Sequence, residues 1–179
     1  MGIALPLSHL SLLLLLSISF NHVGHLVSAD DTLIQLQCHN AEVPSTCIQC
    51  VKSDPRSQSA DKVGIAAIII TCLSNNAKTL SKNMTVLASA AHDKNVKMVL
   101  QSCEKGFSVA TTDLANATNM LGNKDYDKTN GLVSAALRQE VDCNQYASEY
   151  KVTIPYRMVY DMRVYEELSD AALRIIDRF

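Results

Sequence analysis

The side chains with the widest chemical repertoire in this 179-residue sequence are its six cysteines: Cys38, Cys47, Cys50, Cys72, Cys103 and Cys143. A thiolate can hold a metal, attack a substrate or exchange a disulfide, and spacing separates these uses. Cys47-Ile48-Gln49-Cys50 has thioredoxin-like CxxC spacing. That chemistry needs the motif at a helix start beside a βαβ unit, and no strand pattern surrounds it. Cys38, His39, Cys47 and Cys50 have the composition of a zinc site, but ligands at adjacent positions 38 and 39 count against one. No metal and no cofactor is therefore expected. Beyond residue 30 the only histidines are His39 and His92, neither beside a Ser or Cys nucleophile pattern. No G-x-S-x-G, Gly-rich phosphate loop or H-E-x-x-H occurs. The paired acids Asp30-Asp31 and Glu166-Glu167 read as solvated faces, whereas a glycosidase needs carboxylates opposed across a cleft. The pattern argues against an enzyme.

Compartment decides how the cysteines are used. No Asp, Glu, Lys or Arg precedes Asp30, and Leu10 to Phe20 is apolar apart from Ser11, Ser17 and Ser19. That length fits a signal-peptide core and is short for a membrane span. Val27-Ser28-Ala29 supplies the small residues of a cleavage site, so residues 1–29 are expected to be a signal peptide and the mature chain to begin at Asp30. A retained anchor starting near Ile3 is interrupted by Pro6, Ser8 and His9. No second apolar run reaches membrane length, which predicts a soluble, secreted mature protein. In an oxidising compartment an even cysteine count implies disulfides. Asn83-Met84-Thr85 and Asn116-Ala117-Thr118 are N-glycosylation sequons, which the same compartment can use.

The elements that must position these groups are helical. Hydrophobic residues make up 47 % and charged residues 19 %, with a formal net charge of -2. That is a globular balance without the basic footprint of a nucleic-acid or anionic-membrane binder. Trp is absent and Phe occurs three times, so small aliphatic side chains must fill the core. Val63, Ala66, Ile70, Leu73, Ala77, Leu80, Met84 and Leu87 recur three and four apart, the stripe of one helix face. Val96, Leu100, Cys103, Phe107, Ala110, Leu114, Ala117 and Leu121 form a second stripe. The segment from Ala88 to Asp93 reads as the turn between them, and Gly122-Asn123 as the end of the second helix. A third helix spans about Tyr126 to Tyr146, its weaker stripe carried by Val133, Ala136, Leu137 and Val141. Lys151 to Ile154 is a loop entering a fourth helix at Pro155, with Met158, Met162, Tyr165, Ala172, Ile176 and Phe179 on one face and Ser169 breaking it. Short connections force up-down-up-down order, and Ala66, Ala77, Ala110, Ala117, Ala136 and Ala172 allow close axes. The fold class expected is all-α: a four-helix bundle over 59–179, preceded by a helical hairpin and linker over 30–58.

Cys38 and Cys47 bracket the hairpin turn with eight residues between them, and a bridge there would staple two pieces too short to be stable alone. The chain-entropy model gives about 2.7 kcal/mol for such a loop. Cys103 lies 19 residues before Gly122 and Cys143 lies 21 after it, so antiparallel helices bring them level. Pairing Cys50 with Cys72 would need the hairpin to fold back about 20 Å along the first bundle helix, at about 1.5 Å per residue. Two buried thiols are the expectation for this pair.

The mature chain resembles the plant invertase and pectin methylesterase inhibitor family. The resemblance rests on Cys38-x8-Cys47, Ser53-Asp54-Pro55-Arg56-Ser57 followed by Ala60-Asp61, the helix-borne Cys103, and Ser134-Ala135-Ala136-Leu137 leading to Cys143. It implies a secreted four-helix bundle with an N-terminal hairpin and bridges linking Cys38 to Cys47 and Cys103 to Cys143, with Cys50 and Cys72 outside the family's pattern. It also implies inhibition of a plant cell-wall or vacuolar enzyme by one-to-one binding in the apoplast, the chain acting as a monomer. Invertase inhibitors of the family approach their target through a Pro-Lys-Phe segment, which corresponds here to Lys124-Asp125-Tyr126. The aromatic is kept in type, the Pro is lost and the Lys position is acidic. The departure favours pectin methylesterase over invertase as partner. A small-ligand binder is disfavoured because unbroken Leu and Ile stripes fill a core, and a helical signalling protein is a further class.

Overall fold

Asp before a helix and a short polar turn after it set the frame of this molecule. The computed structural model describes residues 29–179. The expected signal peptide lies outside the described residues except for Ala29. Helices α1 (Ala29–Cys38) and α2 (Pro44–Ser53) form the hairpin, and a 3-10 turn over Pro55–Ser59 leads to the bundle. The bundle is α3 (Lys62–Ala90), α4 (Lys94–Gly122), α5 (Tyr126–Glu149) and α6 (Tyr156–Ile176), and no strand occurs among the described residues. Asp61, Asp93 and Asp125 each accept the N–H three residues on, from Gly64, Val96 and Lys128, satisfying donors that the first turn leaves unpaired. In the linker, the hydrogen bond from the Arg56 guanidinium to Asp54 holds that carboxyl down at about 2. α3 runs to Ala90, so the turn is confined to residues 91–93 and is shorter than the expected Ala88–Asp93.

α4 ends at Gly122 with Asn123 as its cap, where the sequence placed its end, but the glycine does not supply the left-handed residue. Gly122 is an ordinary helical residue with open space around it, and no glycine among the described residues has positive φ. The left-handed position falls to Lys124, at φ 61°. The Lys124 N–H donates to Leu121 O (3.0 Å) and the Asp125 N–H to Met120 O (3.0 Å), the two bonds of a Schellman motif. The same motif closes α5, where Lys151 has φ 53°, its N–H meets Ser148 O and the Val152 N–H meets Ala147 O. A lysine here sits beside the negative end of the helix dipole, which offsets part of the cost of a Cβ in that conformation.

Both long stripes face the core as their spacing requires, partly buried at Val63, Leu87 and Val96 near the helix ends and buried between, and Ile70 and Leu114 are fully inaccessible. α5 departs from expectation. Val141 is 49 % exposed and Leu137 only partly buried; the buried face is Thr129, Val133, Ala136, Glu140, Cys143 and Ala147. Two of those six are polar, so counting apolar residues selects the wrong neighbours. On α6, Ser169 is fully buried and its hydroxyl donates to Tyr165 O at 2.8 Å, so it interrupts the apolar stripe without leaving an unpaired group. α3 is also apolar and long enough to cross a membrane by composition, contrary to the expectation of no second such run. Its ten buried residues face the bundle and the hairpin, and a helix covered on several sides is apolar over a wide arc.

The cysteines form three bridges: Cys38–Cys47, Cys50–Cys72 and Cys103–Cys143. The expectation of two buried thiols at 50 and 72 is therefore corrected. The hairpin does fold back: Cys72 stands ten residues into α3, about 15 Å from its start, and α2 comes level with it there, the Cys50 and Cys72 Cα atoms standing 6.3 Å apart. Further ties hold the hairpin to α6 and to the residues just after it. The Glu42 N–H donates to Asp170 Oδ2 (2.8 Å), the Thr46 hydroxyl to Glu167 Oε2 (2.5 Å), and the Arg178 guanidinium to Gln37 O (2.8 Å). Ile34, Cys47 and Val51 belong to the same buried cluster as the bundle. Bridges of this kind persist in an oxidising compartment.

Non-reducing peptide mapping should recover the three bridges and no free thiol. Replacing Cys50 and Cys72 together by Ser should cost about 3 kcal/mol by the loop-entropy model, read as a lowered denaturant midpoint. Ile70→Ala should cost about 2–5 kcal/mol through lost burial and the cavity left behind. Gly122→Ala should stabilise by about 0.5–1 kcal/mol, whereas a glycine that supplied the left-handed cap would lose stability on the same change.

Candidate functional site

Chain direction brings four helix ends together: the start of α3, the end of α4, the start of α5 and the end of α6. An open hollow of about 550 Å³ lies there, lined by Lys124, Asp125, Tyr126, Asn130, Asp177 and Phe179, among others. The Tyr126 ring packs tilted against Phe179 with centroids 4.9 Å apart, and Lys62 Nζ stands 5.9 Å from the Phe179 ring centre. On the floor, Asn130 Nδ2 donates to Asp177 Oδ1 at 2.5 Å.

The three residues singled out by sequence have different fates at this end. Lys124 is exposed and its backbone is fixed by the two bonds of the Schellman turn. Asp125 is exposed but committed: its carboxylate accepts from the Lys128 N–H (3.2 Å) and its carbonyl from the Thr129 N–H (3.0 Å) and hydroxyl (2.7 Å). Tyr126 is half-buried against Phe179. Of the segment, Lys124 alone is exposed and free of a structural task in its side chain. Three carboxylates line the hollow, Asp125, Asp127 and Asp177; Asp125 is bonded at the start of α5 and Asp177 to Asn130. What it offers is an open, shallow concavity of mixed charge at the end of the bundle.

The sequons sit on the first two bundle helices. Asn83 is half-buried on α3 and Asn116 is exposed on α4, and the Thr85 and Thr118 hydroxyls donate to Ser81 O and Leu114 O. None of the cysteines reaches the bundle-end hollow; all six are consumed in bridges. Sequence reasoning passed over a second surface. On α6, Tyr156 is 84 % exposed, Val159 and Tyr160 are exposed beside it, and the Arg163 guanidinium lies 5.3 Å from the Tyr160 ring centre. Tyr, Val and Arg at positions i, i+3, i+4 and i+7 opposite the core stripe were the available signal, since aromatic and Arg side chains are enriched in protein contact surfaces.

Residues 32–175 match the family described as Plant invertase/pectin methylesterase inhibitor. The chain is similar to the pectinesterase inhibitor of Actinidia deliciosa, with 31 % identity over 149 residues covering 83 % of this chain and 80 % of that protein. It is also 31 % identical, over 133 residues, to the cell wall / vacuolar inhibitor of fructosidase 2 of Arabidopsis thaliana, covering 72 % of this chain and 73 % of that one. In three dimensions it is similar to the crystal structure of a pectin methylesterase inhibitor from Arabidopsis thaliana, with a TM-score of 0.63 at 20 % identity, covering 86 % of this chain and 97 % of the other. The shared fold, the match over nearly all described residues and the hairpin-plus-bundle order agree: this chain belongs to the plant invertase/pectin methylesterase inhibitor family.

Proposed function

We propose that this protein is a secreted inhibitor of pectin methylesterase that blocks its target by one-to-one binding and has no catalysis of its own. The observation that carries the choice of target is Asp125, at the middle of the segment that corresponds to Pro-Lys-Phe in invertase inhibitors. A lysine there would meet the acid/base carboxylates of a glycosidase. An aspartate meets them with like charge, which at an interface can cost several kcal/mol. The capping bonds of Asp125 also keep its carboxylate at the helix start. Similarity to the Actinidia pectinesterase inhibitor over most of the chain supports the same target. A second reading, inhibition of a cell-wall or vacuolar invertase, is favoured by the exposed Lys124 one position earlier and by the similarity to the fructosidase inhibitor. The compartment proposed is the apoplast, reached by cleavage after Ala29, with glycans on Asn116 and Asn83.

Titrating pectin methylesterase with the mature protein should abolish turnover at a one-to-one ratio, while invertase keeps its activity. Potent inhibition of invertase alone would select the second reading. Asp125→Asn separates charge from capping, because Asn caps as well as Asp. Stability should hold within about 0.5 kcal/mol, pectin methylesterase inhibition should persist, and weak invertase inhibition should appear. N-terminal sequencing of the secreted protein should begin at Asp30, and deglycosylation should lower its mass.

A further inference from the structure

Inside the bundle an acidic side chain is buried without a cation. Glu140 lies on the core face of α5, 3 % exposed, between Ala136 and Cys143. From its own helix the Asn144 amide donates to its carboxyl. From α6 it feels the charge of Glu166, which is itself exposed, and neighbours Tyr165, which is fully buried and whose hydroxyl has no partner among the described residues. From α4, Asp113 is near enough to act on the same hydroxyl. No Lys, Arg or His forms an ion pair with Glu140 among the described residues. An ionised carboxylate in this setting is strongly disfavoured, whereas a neutral acid is tolerated.

We propose that Glu140 makes the seam between α5 and α6 a pH-operated latch, closed when this carboxyl is protonated and loosened when it ionises. The covalent arrangement decides where the bundle yields. The Cys103–Cys143 bridge, three residues from Glu140, ties α5 to α4 with Cα atoms 4.9 Å apart. Gly106 on α4 adds a close approach there, since a Cβ would stand 3.3 Å from Gln139 Oε1. No bridge joins α5 to α6, so water reaches an ionised Glu140 by parting that seam.

The direction follows from the same surroundings. Burial first, and the Glu166 charge second, push the Glu140 carboxyl up to about 7 against the opposing hydrogen bond from Asn144, while an ordinary value is 4.5. Burial likewise raises Asp113, and burial with the charges of Glu140 and Asp113 raises Tyr165, so neither neighbour offers the positive charge that would hold Glu140 ionised. A folded value above the unfolded one makes this stabilisation complete below about 4.5, and it is lost as pH rises through about 7. The inference is independent of which enzyme the protein inhibits.

The test uses the intact, disulfide-bonded protein. Carboxyl 13C NMR should show Glu140 titrating near neutrality; a midpoint near 4.5 would overturn the latch. Between pH 5 and 8 the unfolding constant of the unmodified protein should rise by about two orders of magnitude relative to Glu140→Gln. Equal pH slopes in the two proteins would also overturn it. Hydrogen exchange, corrected for its intrinsic pH dependence, should accelerate at pH 8 on the facing sides of α5 and α6 while α3 stays protected, and uniform acceleration through all four helices would refute a local latch. If Glu140→Gln fails to fold, the NMR midpoint and the exchange pattern of the unmodified protein still decide.

Discussion

Near the start of α3, Ile65, Ile68, Ile69 and Ile70 are all buried, which a single packing face cannot achieve. Successive positions point around the helix, so the run needs cover from several sides at once. α4 and α6 supply two sides, and the hairpin with its 3-10 turn supplies the rest. Burying side chains of this size is worth about 1.5–3 kcal/mol each, a large share of a domain's net stability. The hairpin is therefore a wall of the core. The Cys50–Cys72 bridge and the polar ties from Glu42, Thr46 and Gln37 hold that wall against α3 and α6.

Two devices recur at the helix ends, and the α4–α5 turn carries both. Asp caps the start of α3, α4 and α5, and a left-handed lysine closes α4 and α5. The bundle-end segment is built from these devices: Lys124 completes one helix, Asp125 opens the next, and Tyr126 anchors on Phe179. Such a segment is held rigidly, and rigid presentation lowers the ordering cost of binding. A surface of that kind is fixed before any partner meets it.

Glu140 and Ser169 put polar groups at core positions of α5 and α6, with different consequences. Ser169 satisfies itself by bonding back to its own helix. Glu140 has the Asn144 amide on its own helix as partner and no cation, and burial pushes its carboxyl above the ordinary range, which is the basis of the proposed coupling of the α5–α6 seam to proton concentration. The disulfide beside it confines any resulting motion to one seam, leaving the α3–α4 half of the bundle outside the coupling.

Helix periodicity, cysteine register across the Gly122 connection and the absence of nucleophile or phosphate-loop patterns were local properties of the sequence. They were enough for an all-α bundle with Cys103 opposite Cys143 and Cys38 opposite Cys47, because period and loop length constrain antiparallel helices directly. The face of α5 was not legible, since Thr129 and Glu140 occupy core positions that an apolar count skips. Nor was the cap at Lys124, because a glycine two residues earlier suggested the commoner solution. The Cys50–Cys72 bridge belonged to the tertiary structure alone. Whether two cysteines 22 residues apart meet depends on how the hairpin folds back over α3. That is set by packing between segments, which no single stretch of sequence contains.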